Sequence, residues 1–323
     1  MPELTVIIPT NRPPATLAPC LQALTKQRMA PARFEVLVIN DGALHNLAPL
    51  AEIFRTAGLQ VRVIEVPRGG PGPARNRGAA EAAGALLVFT DDDCQPEPSW
   101  LEAMLAASQH HPNALLGGNV VNRLKHRPAS EASQLLVSFL YRWYNRDPFD
   151  ARFFASNNMA ARRDQFLARG GFDPRFTLSA GEDRELCARW REDGGRLVYV
   201  PTARIGHTHD LSVPQFWRQH FKYGRGAAMY WAVRGSVHQH GSSDGEIAVR
   251  APDGRAEVVV ESPAFYWHLL CYPLRTVRWP RALTVTVLVA LSQLANALGY
   301  VTTARHWPRL RSTQRRSRSE LLR

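Results

Sequence analysis

No two of the four cysteines, Cys20, Cys94, Cys187 and Cys271, lie close enough in the chain to form a C-x-x-C pair. That spacing argues against a zinc module and a disulfide framework, and it fits a reducing compartment. Acidic residues are also scarce: 28 against 40 basic ones, a formal charge of +12. The shortage is greatest in residues 305–323, where Arg305, Arg309, Arg311, Arg315, Arg316, Arg318 and Arg323 face the single acid Glu320. Such a segment suits a polyanionic surface, anionic lipid or nucleic acid, or stays solvated. Nothing else in the chain supports nucleic acid, which is not expected as a partner. At the start there is neither a basic n-region nor a cleavage site, because Met1-Pro2-Glu3 leads straight into an apolar stretch, so a cytoplasmic location is expected. Internal repeats and long low-complexity tracts are missing too. What remains is a globular composition, 45% apolar and 21% charged over 323 residues, enough for one large domain or two modest ones.

Short apolar runs at 4–8, 34–39, 61–66 and 85–90 alternate with helical patterns at 16–27, 47–58 and 74–83. Regular strand–helix succession predicts an α/β domain with a mostly parallel sheet flanked by helices. A further strand is expected at 196–200. In sheets of this kind ligands bind beyond the carboxyl ends of the strands. Pro9-Thr10-Asn11-Arg12, Asn40-Asp41-Gly42 and Asp91-Asp92-Asp93 stand at such ends. Three adjacent carboxylates repel one another unless a cation lies between them. A divalent ion clamped to a polyphosphate is one partner for them, and capping of the next helix is the other reading.

Beyond residue 212 the character changes, and the expected division is a catalytic domain over 1–212 and a helical C-terminal extension over 213–323. The extension holds a polar insert at 235–262, a charge-free helix at 282–304 and the basic tail at 305–323. Over 282–304, Ser292, Asn296, Gly299 and Thr303 share one helical face, while Leu283, Val287, Leu291, Leu294, Leu298 and Val301 share the other. Arg275, Arg278 and Arg281 precede it, Arg305 and Arg309 follow, and Trp279 and Trp307 stand near its ends. This pattern predicts an in-plane interfacial helix on an anionic membrane in preference to a span or a core helix.

The series Val6-Ile7-Ile8-Pro9-Thr10, Asn40-Asp41-Gly42, Gly72-Pro73-Ala74-Arg75-Asn76-Arg77-Gly78, Phe89-Thr90-Asp91-Asp92-Asp93, Ser156-Asn157-Asn158, Gly170-Gly171-Phe172-Asp173 and Gly181-Glu182-Asp183 resembles the family 2 glycosyltransferases, in the order that family uses, over roughly residues 4–230. The resemblance implies a GT-A-like fold and inverting sugar transfer from a nucleotide-sugar donor of the UDP, GDP or dTDP type. It implies that Pro9, Thr10 and Asp41, with Arg12 and Asp92, form the donor cleft, and that Arg75 and Arg77 meet the diphosphate. It makes Asp91 and Asp93 the paired acids for Mg²⁺ or Mn²⁺, with His207 or His209 as a further ligand. It makes Asp183 the general base, beside Glu182. Ser179-x-x-Glu182 has the form of a capping box, which by itself accounts for Glu182. Arg225, in Tyr223-Gly224-Arg225-Gly226, is assigned to the diphosphate or the acceptor site. The Q-x-x-R-W motif of processive relatives is absent, which counts against a polymerising synthase. The expected acceptor is a glycan, lipid-linked or in the cell envelope, reached from the inner membrane face. A sugar nucleotidyltransferase would need a Gly-rich loop after the first strand, and a catalytically silent nucleotide-binding protein would have lost the triplet or Asp183. Neither condition is met.

Overall fold

The computed structural model describes residues 1–234, 247–250 and 257–305; most of the expected polar insert and, apart from Arg305, the basic tail lie outside the described residues. Eight strands build one sheet: β1 (Leu4–Thr10), β2 (Phe34–Asp41), β3 (Val61–Val66), β4 (Leu86–Thr90), β5 (Cys94–Pro96), β6 (Leu115–Asn122), β7 (Asn158–Arg162) and β8 (Leu197–His207), in the order β3-β2-β1-β4-β7-β6-β8-β5. Strands β3, β2, β1, β4, β6 and β8 run the same way, and β7 and β5 run against them. The expected α/β class with a mostly parallel sheet is therefore the observed one, with an antiparallel strand inserted at β7 and another at the β5 edge.

The central strands are buried on both faces, so their sequences are continuous apolar runs. Alternation divides them between two cores. Val6, Ile8, Val36 and Val38 pack against Leu17 and Leu21 of α1 (Pro14–Leu24), Phe54 of α2 (Ala48–Thr56) and Trp100 and Met104 of α4 (Trp100–His110). Ile7, Leu37, Ile39 and Phe89 pack on the other face, with Ala74 and Ala79 of α3 (Pro71–Glu81), Phe166 of α6 (Arg163–Ala168) and Leu186 and Trp190 of α7 (Glu182–Glu192). Helix α5 (Pro128–Tyr144) lies in the chain between β6 and β7.

Strand β8 continues well past the apolar run that announces it. Pro201 lacks an N–H donor for a ladder. The strand accommodates it by a bulge: Val200 pairs with Gly118, but the next pair is Arg204 with Asn119. The Asn158 amide fills the gap, donating to the carbonyls of Asn119 and Ala203 at 3.0 Å each and accepting from Trp100 Nε1 at 2.8 Å. This staple lets β8 run on to His207, at the same end of the sheet as the acidic triplet.

The chain divides into two compact units: Met1–His126 with Val137–Asp210, and Arg127–Leu136 with the residues from Leu211 onward. The start of α5 thus falls with the second unit, which a boundary drawn along the sequence does not anticipate. The described part of that unit also holds α8 (Val213–Arg234), the hairpin strands β9 (Ile247–Arg250) and β10 (Glu257–Val260), α9 (Pro263–Thr276) and α10 (Arg281–Ala304).

Candidate active site

The acidic triplet forms a turn between β4 and β5, closed by the Cys94 N–H donating to the Asp91 carbonyl at 3.1 Å. It caps no helix, since α4 begins only at Trp100 after Ser99. The turn sends its three carboxylates in different directions. Asp92 is buried, accepts from the Thr10 hydroxyl at 2.5 Å, and is gripped by the Arg12 guanidinium. Asp93 is buried between Arg12 Nη2 at 2.9 Å, His207 Nε2 at 3.3 Å and His209 Nδ1 at 3.6 Å. The antiparallel pairing of β5 with β8 sets Cys94 opposite His207 and so brings the histidines to the triplet.

Electrostatics separates these groups. Burial pushes the Asp93 carboxyl up, but the His207 hydrogen bond and charge, with Arg12 and His209, outweigh it and hold Asp93 well below the usual range. Asp92 is raised, because burial exceeds what Arg12 and Thr10 return. Burial also works against a charged His207, yet its bond to Asp93 leaves its pKa raised. His209 is pushed down to about 4 by burial, against the pull of Asp93.

Ligand atoms of Asp93, Cys94 and His207 lie within 4.8 Å of one another. Burial and the neighbouring Asp93 and Asp91 charges push the Cys94 thiol far above its ordinary pKa. The carboxylate of Asp93 and the imidazole of His207, with His209 Nδ1 3.6 Å from Asp93, offer oxygen and nitrogen donors that fit a divalent ion of the Mn²⁺ kind. The position of Cys94 was hidden from the sequence, because a three-residue edge strand gives no apolar pattern.

Asp91 turns away from this cluster. Its carboxylate takes a hydrogen bond from Arg75 Nη2 at 2.6 Å, and Arg75 Nη1 lies 3.6 Å from Glu182 Oε1. Arg75 is buried, with its guanidinium 5.5 Å from the centre of the Phe172 ring. Beyond it the N-terminus of α7 presents Glu182 and Asp183 in its first turn, where a carboxylate is favoured by the helix dipole. The residue before the helix is Gly181, in the left-handed region at φ 89°, and no side chain caps it. Ser179 is therefore not the cap that its spacing suggests, because the left-handed turn starts the helix two residues later. Burial, then the Asp183 charge, push Glu182 up to about 8 against the opposing charge of Arg75. Asp183 is raised as well, by burial, although the Arg184 N–H donates to it at 2.8 Å.

The other expected residues separate. Thr10 and Arg12 stand with the triplet, and Pro9 is buried within β1. Asp41 has both carboxylate oxygens occupied, accepting from the Gly69 N–H at 2.6 Å and the Gly70 N–H at 3.0 Å. It fastens the loop that opens α3. Gly70 there has φ 92°, and a Cβ would meet the Thr177 carbonyl at 2.5 Å. Arg77 is not brought to the site: residues two apart on a helix do not share a face. It pairs with Glu81 at 2.8 Å on the exposed side of α3. Arg225 lies exposed on α8, in the second unit.

Residues 5–168 match the glycosyl transferase family 2 model. Glycosyltransferase AglE from Haloferax volcanii is 27% identical over 72% of this chain and 75% of its own length. A pre-mycofactocin glycosyltransferase from Mycobacterium tuberculosis is 27% identical over 83% of this chain, which spans about half of that relative (52%). Among solved structures, the mannosyltransferase PcManGT from Pyrobaculum calidifontis, in complex with GDP-Man and Mn²⁺, superposes with a TM-score of 0.57 at 18% identity, over 94% of this chain and 80% of that one. That likeness extends the GT-A fold beyond the family match. The ordered strand-end motifs and the match over half of its length show that the chain belongs to glycosyl transferase family 2 and is a glycosyltransferase.

Proposed function

We propose that this enzyme is an inverting transferase, dependent on a divalent metal, that moves a sugar from a nucleoside-diphosphate sugar to a hydroxyl of a lipid-linked or cell-envelope glycan. The observation that carries the reading is the division of acidic residues into two centres joined by one arginine. Asp93 stands with His207 and His209, Asp183 and Glu182 stand at the start of α7, and Asp91–Arg75–Glu182 connects them. Such a layout fits a single displacement with one base. The Asp183 carboxylate takes the proton of the acceptor hydroxyl as that oxygen bonds to the anomeric carbon. The bond from that carbon to the diphosphate oxygen breaks on the opposite face, and its electron pair leaves with the diphosphate. A divalent ion held by Asp93, His207 and His209 would supply positive charge to the leaving group. Arg75, buried and fixed by Asp91, holds a further positive charge between the two centres. Nucleotide-sugar and Mn²⁺ binding by PcManGT supports this donor and ion class. The basic, apolar C-terminal helices support an acceptor met at the inner membrane face.

The test is a thermal-shift screen of UDP-, GDP- and dTDP-sugars with and without Mn²⁺, followed by transfer assays. The correct donor at about 100 times its Kd is expected to raise Tm by about 5 °C. Asp93→Ala is expected to lose the Mn²⁺-dependent part of that shift. Asp183→Asn is expected to keep the shift and lose transfer by about 10³-fold. Full activity in Asp183→Asn removes that residue from the base role.

A further inference from the structure

The buried face of helix α10 mixes small and aliphatic residues: Ala282, Ser292, Ala295 and Gly299 with Val285, Leu288 and Val289. They lie against α8 at close range, for a Cβ on Gly224 would fall 1.9 Å from the Asn296 carbonyl oxygen, and one on Gly299 2.0 Å from that of Phe221. Five further aliphatics face outward. Leu283, Val287, Leu294, Leu298 and Val301 are 42–58% exposed. At 100° per residue these five fall within a stripe of roughly 60°, on the side of the helix opposite Ser292. The sequence pattern expects this aliphatic face on a membrane and the Ser292–Gly299 face toward water; in the structure the latter face is buried instead.

A charge-free apolar stripe of this length is a poor water-facing surface, and contiguous exposed patches of this kind mark contact sites. The glycine-mediated approach of α10 to α8, at Gly224 and Gly299, is of the kind common between helices in apolar surroundings. Charge selects the surroundings. Arg275 and Arg278 are exposed just before the helix, Arg305 is exposed just after it, and Trp279 is exposed at its start. Within the described residues the helix itself carries no charge after Arg281. Helix α8 exposes Arg218, Lys222 and Arg225, spaced to share one side. Three cations on the packed partner argue against burying the pair in hydrocarbon and place it at an interface.

We propose that the outward stripe of α10 docks in the plane of an anionic membrane leaflet, with its aliphatics at the acyl boundary and the flanking arginines on lipid phosphates. This deepens, and rests on, the reading of a membrane-borne acceptor. It assigns the contact to particular residues of the aliphatic face that the sequence pattern marks, and it gives the opposite face to packing on α8. The experiment is co-sedimentation of the full chain with phosphatidylcholine vesicles, with and without phosphatidylserine. Wild type is expected to sediment with the anionic vesicles. Leu294→Glu with Leu298→Glu is expected to abolish this while keeping the wild-type circular dichroism and donor-dependent thermal shift. Arg275→Gln with Arg278→Gln is expected to weaken it about 30-fold. Wild type that ignores anionic vesicles, or a double glutamate variant that still binds them, overturns the proposal. So does a wild-type dimer that the glutamate pair converts to monomer without any vesicle binding, since the stripe is then a subunit contact. Vesicle binding without donor turnover would sink the transferase mechanism and leave the docking face standing. Turnover without vesicle binding would do the opposite.

Discussion

Glu182 and Arg75 meet in a buried place, and the balance of burial against the Arg75 charge governs the acid side of the site. Burial and Asp183 keep the Glu182 proton on up to about pH 8, from an ordinary value of 4.5, although Arg75 pulls the other way. Glu182 Oε2 is buried without a hydrogen-bond partner among the described residues, as suits a carboxyl that is neutral at physiological pH. The sign of its effect on stability follows. Between about pH 4.5 and 8 the unfolded chain has released this proton and the folded chain retains it, so stability falls as pH rises through that window. Glu182→Gln removes the titration and keeps the shape. Its melting temperature relative to wild type is therefore expected to be higher at pH 8 than at pH 5, read by calorimetry without nucleotide. A difference that is flat with pH would place the Glu182 pKa near its ordinary value. The neighbouring Asp183 is raised too, by burial, against the Arg184 N–H and the Arg75 charge.

At the scale of elements, what the sequence reveals depends on how local the signal is. Strands β1 to β4 and helices α1 to α3 fall within three residues of their expected ends, because each carries its own apolar run or period. Strands β5, β6 and β7 escape: three residues in one, Gly117-Gly118 interrupting the second, and Ala160-Ala161 in the third leave little local pattern, and long-range pairing defines them. Site residues divide along the same line. Asp93, His207 and His209 are joined by the β5–β8 pairing, but the sequence order already suggests them. Arg77 fails because helical direction is lost when a motif is read as a string. Asp41 is read as a donor contact, and the structure adds a role that the string does not show, holding the Gly69 and Gly70 amides. Gly181 matters more than the Ser179 pattern that drew attention to it. Its left-handed φ of 89° aims the first turn of α7. Gly181→Ala is expected to cost about 1–2 kcal/mol, seen as a lower denaturant midpoint at unchanged m. It is also expected to reduce kcat more than nucleotide affinity, since it displaces Asp183 and leaves Thr10 and Arg12 in place. Unchanged kcat would show that α7 tolerates a different entry angle.

Across the whole molecule, the two units carry separate work and separate interiors. The first holds the sheet, both of its cores and every residue assigned to the donor, the metal and the base, except Arg225. The described part of the second is organised by the tight α8–α10 pair. A chain of this kind departs from two-state unfolding when each interior can melt by itself. Calorimetry is expected to resolve two transitions. The proposed donor and metal groups other than Arg225 lie in the first unit, so a nucleotide-sugar with Mn²⁺ is expected to move that unit's transition upward and leave the other where it was. Gly299→Val places a branched side chain where a Cβ already meets the Phe221 carbonyl at 2.0 Å, and overpacking of this order costs about 1–3 kcal/mol or more. It is expected to lower only the transition that the nucleotide leaves alone. If one transition responds to both, the two units unfold as a single cooperative block, and a change at α10 then reaches Asp183 through stability alone.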